Sequence, residues 1–216
     1  MPKDCCFKKR CGCENAQKHV GLQNWDKFWT AVSSVNERSA CCILEADFIK
    51  DTNISLRIPE GIHRHVELRL LGQNRSKMQL GLEFASGSRI SLKIIGLISR
   101  GDSLNLSILT KVGTGSCFVC TNRFVLLSDT TLNIETEGIV ESKAANSICK
   151  FDTKVVQLGT STLVSARPKV DVSAVNAEVT HGFAVARVPE EALYYLQSRG
   201  VDQKTAEGLY ASGFLS

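Results

Sequence analysis

The sequence predicts a mainly β domain closed by a short C-terminal α-hairpin, and three observations carry that reading. From about residue 41 to 180, short segments alternate apolar and polar residues with a period of two, which places successive side chains on opposite faces of a strand. Gly, Ser, Asn and Asp punctuate the segments, yet the Asn-Gly and Asp-Gly pairs of tight hairpins are missing. After Pro189 the apolar spacing becomes helical.

Residues 1–20 read as a basic, cysteine-rich tail. Lys3, Lys8, Lys9, Arg10 and Lys18 outweigh Asp4 and Glu14, so most of the chain's net charge of +4 sits there. A basic tail can touch nucleic acid or acidic lipid. The rest of the chain has no basic stripe with interleaved aromatics, which points away from a nucleic-acid partner. Residues 21–40 read as a short helix: Trp25, Phe28, Trp29, Val32 and Val35 form one apolar stripe, and Asn24 suits its N-cap.

Residues 41–188 form the β region. Its clearest segments are His65–Leu70, Met78–Phe84, Arg89–Ile95, Ser103–Ile108, Thr131–Glu135, Lys154–Leu158 and Lys169–Ser173. Their spacing fits a sandwich, a closed barrel or a β-solenoid. Corners such as Gly87-Ser88, Gly101-Asp102-Ser103 and Ser128-Asp129-Thr130 suit the short turns of a solenoid, whose repeat here keeps no strict period. Residues 189–216 form the helical segment. Pro189 fits a first turn, Glu190 and Glu191 favour the positive end of the helix dipole, and Gly200 suits a left-handed stop. Ala192, Leu193, Tyr195, Leu196 and Arg199 make the expected contact face. Asp202 can cap a second helix that Gly213 would end.

At 216 residues, with 43% apolar and 22% charged, the chain can bury one good-sized core. No apolar run approaches the about 20 residues of a membrane helix, and no signal-peptide core opens the chain, so the expected location is cytoplasmic and away from membranes. The nine cysteines, an odd number without a secretory signal, argue against a disulfide framework. Cys117-Phe118-Val119-Cys120 lacks a second ligand pair and reads as packed thiols. Cys5, Cys6, Cys11 and Cys13 lie among basic residues that favour thiolates and form a candidate soft-metal site. A lone histidine, His181, stands near the β-to-α seam.

That seam carries a longer signature. Thr180-His181-Gly182-Phe183-Ala184-Val185-Ala186-Arg187-Val188 runs into Pro189-Glu190-Glu191-Ala192-Leu193-Tyr194-Tyr195-Leu196-Gln197-Ser198-Arg199-Gly200-Val201, and the chain closes on Ser212-Gly213-Phe214-Leu215. The wording resembles the C-terminal signature of the SufB/SufD family, scaffold subunits of SUF iron–sulfur cluster assembly. The likeness covers residues 128–215 best.

The resemblance implies a right-handed parallel β-helix and a non-catalytic SufD-like scaffold. It further implies a SufC-like ABC ATPase bound through Leu193, Tyr194, Tyr195, Leu196 and Arg199, and pairing with a SufB-like or identical subunit. No cofactor would be held stably, only a transient iron–sulfur cluster. His181 matches the family's cluster-assembly histidine, and Gly182 after it is the SufD-type choice where SufB-type members carry a carboxylate. The family's scaffold cysteine falls on Thr153 when counted without gaps from Arg167-Pro168, and on Cys149 only with a shift of four residues. No GxxxxGK[ST] loop occurs, so ATP would be the partner's business. Two other readings compete. One is a structural, metal-binding solenoid that uses the cysteine tail. The other is a β-helix carbohydrate-active enzyme, disfavoured because the carboxylates are scattered.

Overall fold

The computed structural model describes residues 18–20, 39–47, 51–72 and 75–215. The helix expected over residues 21–40 and the tail cysteines Cys5, Cys6, Cys11 and Cys13 lie outside the described residues.

Twelve strands appear among them: β1 (Lys18–Val20), β2 (Ser39–Asp47), β3 (Thr52–Ile58), β4 (His63–Gly72), β5 (Arg75–Phe84), β6 (Arg89–Ile98), β7 (Ser103–Lys111), β8 (Cys117–Leu126), β9 (Thr131–Val140), β10 (Ile148–Gln157), β11 (Leu163–Val172) and β12 (Glu178–Arg187). From β2 onward, consecutive strands alternate between two sheets, ordered β1-β2-β4-β6-β8-β10-β12 and β11-β9-β7-β5-β3. Every pairing is parallel. The chain is a β-solenoid of about 5 turns with two C-terminal helices. Sandwich and up-and-down barrel are thereby excluded, since both need antiparallel neighbours.

The repeat drifts because the corners differ in length. Paired residues of neighbouring coils lie 24 to 32 positions apart, from Ser39↔His63 to Thr131↔Leu163. One corner needs a left-handed residue in each coil. Gly61, Gly87 and Gly115 fill it with φ of 64° to 69°, and Asn146 and Asn176, which tolerate that region, take it later at 56° and 58°. Lys18–Val20, placed in the tail by composition, instead runs beside Cys42–Leu44 as a parallel edge strand.

The core fills the space between the sheets. In β5, β6 and β9 every second residue is buried, as period-two packing requires. Phe84, Phe118 and Phe151 meet in tilted and edge-to-face contacts, with ring centroids 5.4 and 5.7 Å apart. At one corner the buried Ser88 and Ser116 hydroxyls both donate to the Ala85 carbonyl, at 2.9 and 2.7 Å, which satisfies a carbonyl that no strand reaches. β8 departs from strict alternation. Val125 faces outward yet is fully buried, because the C-terminal helices cover it.

Those helices are α1 (Glu190–Ser198) and α2 (Gln203–Leu215). Gly200 stops the first at φ 86°, and Asp202 opens the second by accepting from the Thr205 amide at 3.0 Å and its hydroxyl at 2.6 Å. The second helix continues through Gly213 to Leu215, against the sequence expectation that Gly213 would end it. Gly213 does not take the left-handed conformation that a helix stop uses. Helical interior glycine carries only a modest cost, about 1 kcal/mol, which neighbouring contacts can offset.

A candidate cluster site at the open end of the solenoid

β12 is the last strand of its sheet, and its register places His181 over Phe151, with Gly182 over Asp152 and Phe183 over Thr153. Phe151 stacks in turn on Cys120. His181 therefore sits on an inward row whose two lower members are buried core. No described strand follows β12 to cover that row. Side chains with core-facing register are consequently uncovered: Phe183 is 39% exposed, Val185 41%, and on the other sheet Val170 46% and Val172 40%. The open end is an apolar surface with a half-buried imidazole set in it.

Partial burial lowers the His181 pKa from its ordinary value, and the Asp152 carboxylate offsets this only in part. The imidazole is therefore neutral at neutral pH, the form that can ligate iron or accept a proton. Gly182 leaves room for Asp152: a Cβ there would stand 3.0 Å from Asp152 Oδ1. Asp152 also faces Lys154 Nζ at 3.7 Å. Sequence reasoning missed Asp152, because its place beside the His181 segment depends on coil register and has no signature of its own.

The thiols lie deeper. Cys149 is fully buried, and burial pushes its pKa up to about 12. Cys120 is also fully buried and shifted upward, first by desolvation and then by Cys149. Its Sγ donates to Asn122 Oδ1 at 3.4 Å, and Asn122 Nδ2 donates to Thr153 Oγ1 at 3.0 Å. Both thiols are protonated at neutral pH and enclosed, so neither is a thiolate ligand in this state. Thr153, the ungapped match to the scaffold cysteine, is also interior. Cys117 and Cys120 lie on opposite faces of β8 and are both buried. Among the described residues no group of three or more His, Cys, Asp or Glu could hold a metal ion.

The hairpin separates the five residues that the sequence placed on one binding helix. Leu193 packs with Val125, Val156, Val188 and Ala211, so it belongs to the seam with the solenoid. Leu196 is half-buried. Tyr194 and Tyr195 are 73% and 58% exposed. Tyr195 was expected on the contact face; it points outward instead, with the Arg199 guanidinium 5.5 Å from its ring centroid. Tyr194 lines a cleft of about 510 Å³ with Glu190, Glu191, Gln197 and Gln203.

A second groove, about 460 Å³, runs over the outside of the other sheet and includes Lys77, Gln79, Asn105, Asn133, Glu135 and Arg167. Its one carboxylate, Glu135, is 3.2 Å from Arg167 Nη1. Glycoside hydrolysis needs two carboxyl groups flanking the bond, which this lining does not supply. No described helix is long and apolar enough to cross a membrane.

Comparison with known proteins bears on this geometry. The family model described as the SUF system FeS cluster assembly, SufBD core domain, matches residues 73–214. An iron–sulfur cluster assembly SufBD family protein of Archaeoglobus fulgidus is 31% identical over 65 residues, 30% of this chain and 18% of the relative. A protein of the same description from Methanothermobacter thermautotrophicus is 36% identical over 59 residues, 27% of this chain and 14% of the relative. The aligned segments thus span less than a fifth of each relative's length.

Proposed function

Because the chain belongs to the SufBD family of iron–sulfur cluster assembly proteins, we propose that it is a non-catalytic, SufD-like scaffold subunit that pairs through its open solenoid end and carries an ABC-type ATPase on its helical hairpin. The observation that carries this reading is His181: a neutral imidazole on an apolar surface that no described strand covers. The partner at that end is a SufB-like subunit or a second copy. The nascent cluster is cargo held between the two, with His181 giving one ligand or taking a proton from an incoming thiol.

Thiolate ligands come from the partner in this reading, because Cys120 and Cys149 are enclosed and protonated. Covering the end buries Val170, Val172, Phe183 and Val185 and excludes water, which strengthens ligand bonds to the cluster. The exposed Tyr194 and its cleft support the ATPase assignment, since exposed aromatics beside a pocket serve as interface anchors. Co-expression with SufC-type and SufB-like partners tests the proposal. The expected result is one complex that retains all chains through affinity purification and holds iron and sulfide after reconstitution. A chain that captures neither partner, and whose His181→Ala variant reconstitutes normally, overturns it.

A further inference from the structure

Neither helix of the hairpin is deeply held. α1 has no buried residue, and α2 buries only Ala206 and Ala211. The seam beneath them is apolar, built from Val125, Val156, Val188 and Ala211 with Leu193, Tyr210 and Phe214 packed against them. Such contacts are non-directional, so they favour docking without fixing an angle.

One polar contact from the solenoid does have direction. Arg123 faces outward from β8, and its Nη1 donates to the Phe214 carbonyl at 3.1 Å while the guanidinium lies 5.8 Å from the Phe214 ring centroid. Phe214 belongs to the last turn of α2, where carbonyls lack intrahelical donors and the helix dipole is negative. That turn contains no basic residue of its own, so the solenoid supplies the cation. The Arg123 Nε is buried without a bonded partner among the described residues, a second donor that a small shift of the helix end could engage. Through the register Arg123↔Lys154↔Ala184, the same sheet leads across two strands to β12, which carries His181.

We propose that Arg123 is a positioning residue: it latches the C-terminal end of α2 to the solenoid and thereby fixes the hairpin's angle relative to the strand bearing His181. Its bearing on assembly rests on the scaffold reading above; its bearing on the hairpin does not. A partner that binds the Tyr194 face and moves would act on β12 through this latch, and an unlatched hairpin would swing on its apolar seam without transmitting the motion.

The test uses the full chain with Arg123→Ala and Arg123→Lys, read by amide hydrogen exchange and by melting. Arg123→Ala should speed exchange in the last turns of α2 about tenfold, with β4 to β10 and the melting temperature unchanged. Arg123→Lys keeps the charge but loses the fork, and should fall between. Unchanged exchange in α2, or equal acceleration through the solenoid, overturns the latch. With SufC-type and SufB-like partners present, Arg123→Ala should keep the ATPase affinity but lower ATP-dependent cluster yield per complex; an unaltered yield overturns the coupling. If the wild-type chain binds no ATPase, the scaffold reading fails, while the exchange measurement still decides the latch.

Discussion

His181 has a neutral side chain by virtue of partial burial, and the sign of that shift makes a prediction. Its folded-state pKa lies below the ordinary 6.5. The unfolded chain therefore binds the proton more readily, and stability falls as pH drops below about 6.5 through the lowered value. His181→Ala should flatten that slope. His65, shifted in the same direction by its own burial, should keep part of it. Because His181 is half-exposed and makes no hydrogen bond among the described residues, its loss should barely move the melting temperature at pH 7.5. If His181 binds cargo, iron per assembled complex should drop sharply in the same variant; normal iron with a lowered melting point would make it a structural histidine. Deeper in, Gly138 makes room for the core. A Cβ there would stand 3.0 Å from Cys149 Sγ and 3.2 Å from Phe151 Cε2. Gly138→Ala should cost about 1–3 kcal/mol by overpacking. Adding Cys149→Ala should recover part of that in a double-mutant cycle, whereas strict additivity would show that the strain lies elsewhere.

At the scale of elements, α1 turns different residues to different neighbours. Leu193 faces the seam, Tyr194 the cleft, and Tyr195 the Arg199 guanidinium. Replacing Tyr194 and Tyr195 with serine should abolish ATPase capture and leave the β-sheet circular dichroism intact, since both rings are exposed. Capture at unchanged affinity would move the docking site off this helix. The helices were legible because their signals are local: Pro189 before two glutamates, Gly200 after the last turn, Asp202 at a cap. β8 and β12 were harder to read. In β8 the outward Val125 is covered by the hairpin, which erases the alternation that marks a strand. β12 keeps its alternation weakly because the coil is open and small outward residues follow one another at Gly182, Ala184 and Ala186.

For the whole molecule, the solenoid leaves its final coil unfinished. Phe183 and Val185 on one sheet and Val170 and Val172 on the other present core-type side chains to solvent, and no described strand pairs with the outer edge of β11 or β12. Phe183→Lys combined with Val185→Lys should reduce the assembled mass to that of a single chain in light scattering, with the melting transition kept. A wild-type chain that is already monomeric in the presence of a SufB-like subunit, with no change on mutation, would remove this end as the pairing surface.

The sequence by itself determined the strand-forming character of the β region, the hairpin that closes it and the family signature around His181, because alternation, capping and motif wording are all short-range. It left sandwich, barrel and solenoid open, since period two fixes which face a residue takes but not which strand lies beside it. Only the tertiary structure decided that. Coil register brought Asp152 beside Gly182 and His181 above Phe151, enclosed Cys149 where its thiol keeps its proton, and set Arg123 beneath a helix end 91 residues away. These placements depend on corner lengths that vary from coil to coil. The energy that fixes them comes from burying rows of side chains drawn from every turn at once, which no single segment encodes.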